Sequence, residues 1–214
     1  MGGVEEPARG CQTAPMRILL VGASGTIGRA VAAELGPRHE LVTAGRSSGD
    51  VRLDLADPDS IRRAYAEAGA LDAVVSAAGN VTFKPLAEMT PADYAVGLGD
   101  KLMGQVNLLL LGREHVAAGG SFTFTGGVLD DDPIVAGTST SMVNGALNSF
   151  VRAAAIELER GQRVNIVSPG VLTEALEAYG PYFRGFEPVP AARAALAYAK
   201  SVEGRRSGQV FRVL

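Results

Sequence analysis

The stretch Gly22-Ala23-Ser24-Gly25-Thr26-Ile27-Gly28 follows the apolar run Arg-Ile-Leu-Leu-Val and opens into Arg-Ala-Val-Ala-Ala-Glu-Leu. A glycine turn joining a buried strand to an amphipathic helix brings bare backbone close to a pyrophosphate. The unpaired amides and positive dipole end of the helix favour that group's charge. The competing reading is a glycine-rich structural turn. The next apolar run ends in Val42-Thr43-Ala44-Gly45-Arg46-Ser47-Ser48, where a dinucleotide bound at the first turn would place its adenosine ribose. An acidic residue there would hold a ribose diol, and none is present. Arg46 and Ser47 suit a 2′-phosphate instead, so these residues favour NADP(H) over NAD(H). Against this, Arg46 reads equally as a surface arginine in a chain where arginine outnumbers lysine 17 to 3.

Other reactive side chains carry less. Asp130-Asp131-Asp132-Pro133 lies in a loop flanked by glycine and proline, and no histidine or second acidic cluster accompanies it, so a solvated turn is favoured over a metal site. His39 and His115 have no metal-ligand spacing, and no metal is expected. The segment 178–190, AYGPYFRGFEPVP, concentrates Tyr179, Tyr182, Phe183 and Phe186. These rings can line an apolar pocket or cover a core or a subunit contact, and either tyrosine can donate a proton.

The elements that must position these residues alternate along the chain. Short apolar or β-branched runs predict strands at 17–21, 40–44, 51–53, 73–76, 121–125, 164–167 and 209–213. Asp57 before Pro58, and Thr90-Pro91-Ala92-Asp93, are helix starts with cap and first-turn proline. Further helices are expected at 26–35, 102–117, 139–158 and 191–202. Alternation of this kind implies an α/β, Rossmann-like doubly wound three-layer sandwich around a seven-stranded, mainly parallel sheet. With 214 residues, 47% hydrophobic and 20% charged, residues 16–214 make one domain, and residues 1–15 are expected to be a mobile extension. A net charge of -3 argues against nucleic acid. A single cysteine, Cys11, and the lack of a long apolar run argue against a disulfide framework and a membrane span, leaving a cytoplasmic expectation.

At this point the sequence resembles the short-chain dehydrogenase/reductase superfamily over nearly all of residues 16–214, most closely small divergent bacterial members with Gly-Ala-Ser-Gly-Thr-Ile-Gly and Lys-Leu-Met-Gly-Gln, here Lys101 to Gln105. The resemblance implies that Gly22, Ser24, Gly25, Thr26, Ile27 and Gly28 form the cofactor turn and that Asp54-Leu55 contact the adenine. Ser76-Ala77-Ala78-Gly79 stands for the family's Asn-Asn-Ala-Gly motif. Ser168-Pro169-Gly170-Val171-Leu172-Thr173 is similar to the segment bordering the nicotinamide, and Gly208-Gln209-Val210-Phe211 resembles the last strand. By resemblance, a homodimer or homotetramer would pair through the 102–117 and 139–158 helices.

The departures from that pattern concern catalysis. In the register of the 139–158 helix, the family's tyrosine position is Thr140 and its lysine position is Asn144. Counting back places Gly127 at the serine position and Lys101 at the asparagine position. No other register restores the pair, because Lys84, Lys101 and Lys200 are preceded four residues earlier by Asn80, Gly97 and Leu196. A threonine hydroxyl orients a carbonyl but is a poor acid, while Lys101 is the one strong donor left, provided burial lowers its pKa. The alternative places Lys101 at the surface. Asn144 can hold a water or a ribose hydroxyl, and Thr125 adds a hydroxyl at the same mouth or serves the turn. The expected activity is NADP(H)-dependent interconversion of a carbonyl and a hydroxyl on a small, mainly apolar substrate, with atypical proton delivery. The alternative is a non-redox NADP(H)-binding sensor or partner subunit.

Overall fold

The structure is a computed structural model that describes residues 14–214; the segment expected to be mobile lies outside the described residues up to position 13. Seven strands form one sheet in which every pairing is parallel. They are β1 (Arg17–Val21), β2 (Glu40–Gly45), β3 (Val51–Arg52), β4 (Leu71–Ser76), β5 (Val116–Thr125), β6 (Arg163–Pro169) and β7 (Val210–Val213). Their order is β3-β2-β1-β4-β5-β6-β7. The chain therefore moves outward from β1, returns, and continues on β1's other side, leaving a crevice at the carboxyl ends of β1 and β4.

Period-two alternation sorts the core into two layers. Ile18, Leu20, Ala73 and Val75 face α1 (Thr26–Leu35) and α7 (Ala191–Glu203), where Val31, Leu35, Ala195 and Tyr198 meet them. Leu19, Val21, Val74, Phe122 and Phe124 face the opposite layer, made by α2 (Pro58–Ala68), α4 (Met103–Gly112) and α5 (Thr138–Glu157). The expected three-layer sandwich is what forms. No helix among the described residues is long and apolar enough to cross a membrane.

Three boundaries differ from expectation. The helix expected to run to 117 ends at Gly112, where an added Cβ would collide with the buried Tyr65 ring. Freed from the helix, Val116 pairs with Leu71, so β5 begins five residues earlier than the apolar pattern suggested, with a register shift before Ser121. Upstream, α3 (Pro91–Val96) does not end before α4. A wide π-helical turn over Gly97–Leu102 joins the two, and Lys101 projects from that turn. Such turns widen the helix locally and re-aim a side chain. The aromatic segment begins at the end of the short helix α6 (Leu176–Tyr179) and continues into a 3₁₀ turn over Gly180–Tyr182.

The start of α3 is a reciprocal capping box. The Thr90 hydroxyl accepts from the Asp93 amide, and the Thr90 amide donates to the Asp93 carboxylate at 2.8 Å. Thr90→Ala is expected to cost about 1 kcal/mol of unfolding free energy in urea titration. An unchanged midpoint would show that this helical path is held by packing alone.

Candidate functional site

The crevice holds two joined compartments. The outer one, about 310 Å³, opens above β1 and β2 and is lined by Gly22, Ser24, Gly25, Arg46, Ser47, Asp54 and Leu55 together with Ala77, Ala78 and Gly79. Gly22 adopts φ +83°, and a Cβ there would lie 2.8 Å from the Ala77 carbonyl and from the Ala78 methyl. This close approach, which only glycine permits, sets the floor of the compartment. Gly28 lies one turn into α1, where any side chain would run into the Gly22 carbonyl, so its role is to seat the helix against the turn. Thr26 opens α1 and lines neither compartment. Arg46 is exposed and has no ion-pair partner among the described residues, which leaves its guanidinium available to an anion at the rim. Leu53, Asn80 and Asp100 also line this space, and the sequence did not single them out. The amides of Asn80, backbone and side chain, donate to the Asp100 carboxylate at 3.1 and 2.6 Å. That pair closes a gap between segments 20 residues apart, which no local motif announces.

The inner compartment, about 320 Å³, shares Ala77, Ala78 and Gly79 with the outer one and adds Ile27, Pro169, Gly170 and Val171. Lys101, Thr140 and Asn144 meet here. Lys101 is only 8% exposed, which overturns the surface reading of this side chain. Its ammonium donates to the Gly126 carbonyl at 3.0 Å and to Asn144 Oδ1 at 3.1 Å. The route in exists because residue 79 is glycine: a Cβ there would sit 2.7 Å from Lys101 Cγ. Burial of the charge lowers the pKa of Lys101 to about 8. Gln105, one turn further along, fixes the backbone. Its side-chain amide donates to the carbonyls of Lys101 and Thr125 at 3.0 and 3.1 Å and accepts from the Thr125 amide at 2.8 Å. Gln105 was legible only as the end of the Lys-Leu-Met-Gly-Gln motif.

Thr140 and Asn144 stand one turn apart on α5 and so share a face. Thr140 Oγ1 and Asn144 Nδ2 are buried and have no hydrogen-bond partner, the condition of groups shaped for a ligand or an ordered water. Thr125 lines the cavity, but its hydroxyl is turned away. It donates to the Ser76 carbonyl and meets the hydroxyl of Tyr198 on α7, so this candidate catalytic group ties β5 to β4 and α7 rather than facing the reacting space. Thr173 also departs from expectation: it is exposed, begins a 3₁₀ turn, and lies off both compartments, its amide donating to the Val189 carbonyl at 3.0 Å. Of the four aromatic candidates, Tyr179 and Phe183 line the inner cavity with Phe83; Tyr179 and Phe83 sit 5.4 Å apart by centroid. Phe186 packs on Phe183 at 5.2 Å, and Tyr182 lies off the cavity. Asp130 accepts from Asn148 at 2.6 Å and Asp131 pairs with Arg212. His39 bonds to Glu203, and His115 stacks on Tyr65.

Known proteins share this fold. The family model described as enoyl-(acyl carrier protein) reductase matches residues 8–203. The solved structure of the protein lin1944 from Listeria innocua is 50% identical, with a TM-score of 0.92 over 93% of this chain and all (100%) of that one. A short chain dehydrogenase from Burkholderia cenocepacia J2315, solved in complex with NADP, shares the fold at 22% identity and a TM-score of 0.82, covering 94% of this chain and 97% of that one. The trihydroxynaphthalene reductase of Colletotrichum orbiculare is 28% identical over 71% of this chain, and the chain spans 63% of that relative's length.

The buried ammonium has a stability signature. A lysine with a folded pKa of about 8 and an ordinary value of 10.5 binds fewer protons folded than unfolded between those limits. In that window its burial penalty is relieved as pH rises, and below about 8 the penalty is fully present. Relative to Lys101→Met, the wild type should gain stability in urea titrations as pH climbs from about 8 to about 10.5. Parallel stability curves for the two proteins would place the ammonium in water.

Proposed function

This chain belongs to the short-chain dehydrogenase/reductase superfamily, and on that premise we propose that it is an NADP(H)-dependent oxidoreductase interconverting a carbonyl and a hydroxyl group on a small, mainly apolar substrate. One observation carries the reading. Two compartments that share the Ala77–Gly79 wall run from a glycine turn, with an arginine at its rim that has no ion-pair partner among the described residues, to a cavity holding a buried ammonium and two polar groups without partners. The fit to a dinucleotide rests on the cradle at Gly22, which any Cβ would fill, and on the orphaned atoms at the far end.

Gly22, Ser24 and Gly25 would hold the pyrophosphate, Arg46 and Ser47 the 2′-phosphate, Asp54 and Leu55 the adenine, and Ala77–Gly79 with Pro169–Val171 the nicotinamide end. When bound, the nicotinamide supplies or accepts the hydride. The remaining work is the chain's own. Lys101 Nζ gives a proton to the substrate oxygen during reduction and takes it back during oxidation, a role suited to a group titrating near neutral pH. Thr140 and Asn144 orient that oxygen, and Val128, Leu129 and Phe183 exclude water around it. In this reading proton delivery is atypical for the superfamily: the ammonium arrives from the π-helical turn instead of from α5.

Two measurements test the reading. NADPH should bind at least about tenfold more tightly than NADH, and Arg46→Ala should erase most of that preference, as loss of a charge-assisted phosphate contact requires. Equal affinities in the wild type would remove the 2′-phosphate assignment. In a screen of carbonyls with NADPH, Lys101→Met should lower kcat by roughly 100-fold or more while leaving NADPH affinity within a few-fold. Tight NADPH binding without hydride transfer to any carbonyl would favour the sensor alternative.

A further inference from the structure

Resting on the oxidoreductase reading of the same cavity, we propose that its substrates carry an anionic oxygen group, a carboxylate, directly beside the reacting carbonyl on an apolar body, and that the two neighbouring groups share Lys101, Thr140 and Asn144. The charge balance of the cavity points there. Of the residues lining it, Lys101 alone carries a formal charge, and the Tyr179 phenol is the only other titratable group. None of the surrounding segments, 77–83, 125–129, α5 or 169–172, contributes a carboxylate to the lining. Asp100, adjacent in the chain, lines the outer compartment and is spent on Asn80. The ammonium is buried with two neutral acceptors and, among the described residues, no counter-ion, an arrangement that a bound anion relieves.

Hydrogen-bond accounting gives the same answer. Lys101 has three N–H groups, two of them committed to Gly126 and Asn144 Oδ1, which leaves one. Because Oδ1 faces the ammonium, the other end of the Asn144 amide is fixed as the Nδ2 donor. That donor is unpartnered although Asn144 is 0% exposed. Thr140 Oγ1, 5% exposed, is unpartnered on the same face of α5. Gly127 completes the shape. A Cβ at that position would lie 2.9 Å from Asn144 Nδ2, so any side chain there would crowd that donor. A neutral carbonyl alone leaves the charge uncompensated. A carboxylate on the neighbouring carbon accepts from Thr140 and Asn144 Nδ2 and neutralises it, holding the carbonyl oxygen at the remaining Lys101 N–H, and charge-assisted bonds are roughly twice as strong as neutral ones. Phe83, Val128, Leu129, Leu172 and Phe183 surround the remainder with apolar surface.

The test uses benzoate and its uncharged isostere benzamide, titrated calorimetrically into the full chain with and without saturating NADPH. Benzoate should bind about tenfold or more tightly than benzamide near pH 6.5. As pH rises through the Lys101 pKa of about 8, the ammonium loses its proton, so the preference should fade by about pH 9.5. Lys101→Met should abolish it, and Gly127→Ser, which fills the space beside Asn144, should weaken it several-fold. Equal affinities for the two probes, a preference that survives Lys101→Met or high pH, or no benzoate binding at millimolar concentration would each overturn the proposal. The pH arm needs only the wild type, so a poorly folding variant does not decide the matter. NADPH affinity measured in the same samples separates the two readings: intact cofactor binding without an anion preference removes this inference alone.

Discussion

The site depends on keeping one ammonium out of water. Lys101 is held by a backbone carbonyl and a side-chain amide oxygen, with no carboxylate opposite, and every neighbour that makes this possible comes from a different part of the chain. Gly79 after β4 leaves space for the aliphatic stem, the π-helical turn aims it, Gly126 after β5 caps it, and Asn144 of α5 steadies its head. A buried lysine without an anionic partner lowers stability, since desolvation favours the neutral amine. Retaining such a group is intelligible where the same desolvation sets its proton affinity close to neutral pH.

The sheet makes that placement possible by its connectivity. Because the strand order reverses between β1 and β4, two glycine-bearing segments diverge at their carboxyl ends and leave a crevice without any cavity having to be carved from the core. Both layers of the core can then be packed continuously with apolar side chains. Among the buried polar groups, Gln105 of α4 and the Thr125–Tyr198 contact stitch the end of β5 to the helices on either side, fixing the wall against which Lys101 lies.

What could be read from the residues follows the range of the forces involved. Caps, prolines and glycine turns act over three or four residues, so the starts of α2 and α3, the Gly22 turn and the seven strands were all legible. The end of α4 was not: the helix closes where Gly112 packs on Tyr65, 47 positions earlier in the sequence, a contact that no local pattern announces. Lys101 left two readings open for the same reason: its burial is decided by Gly79, Gly126 and Asn144, none of them close to it along the chain. The hydroxyl of Thr125 was read as lying at the mouth or serving the turn, whereas its actual direction is set by Ser76 and Tyr198. Asn80 and Asp100 were missed because two ordinary polar residues acquire meaning only when folding brings them together.

Under the proposed function, one crevice carries a pyridine nucleotide from the arginine rim to the buried ammonium. A crystal structure of the chain with NADPH tests this most directly. The adenosine end should lie beside Arg46 and Asp54, and the nicotinamide ring should enter the inner cavity, with its reactive carbon facing the space bounded by Lys101, Thr140 and Asn144. A nucleotide bound elsewhere, or one whose nicotinamide stays outside a cavity filled by protein side chains, would contradict it.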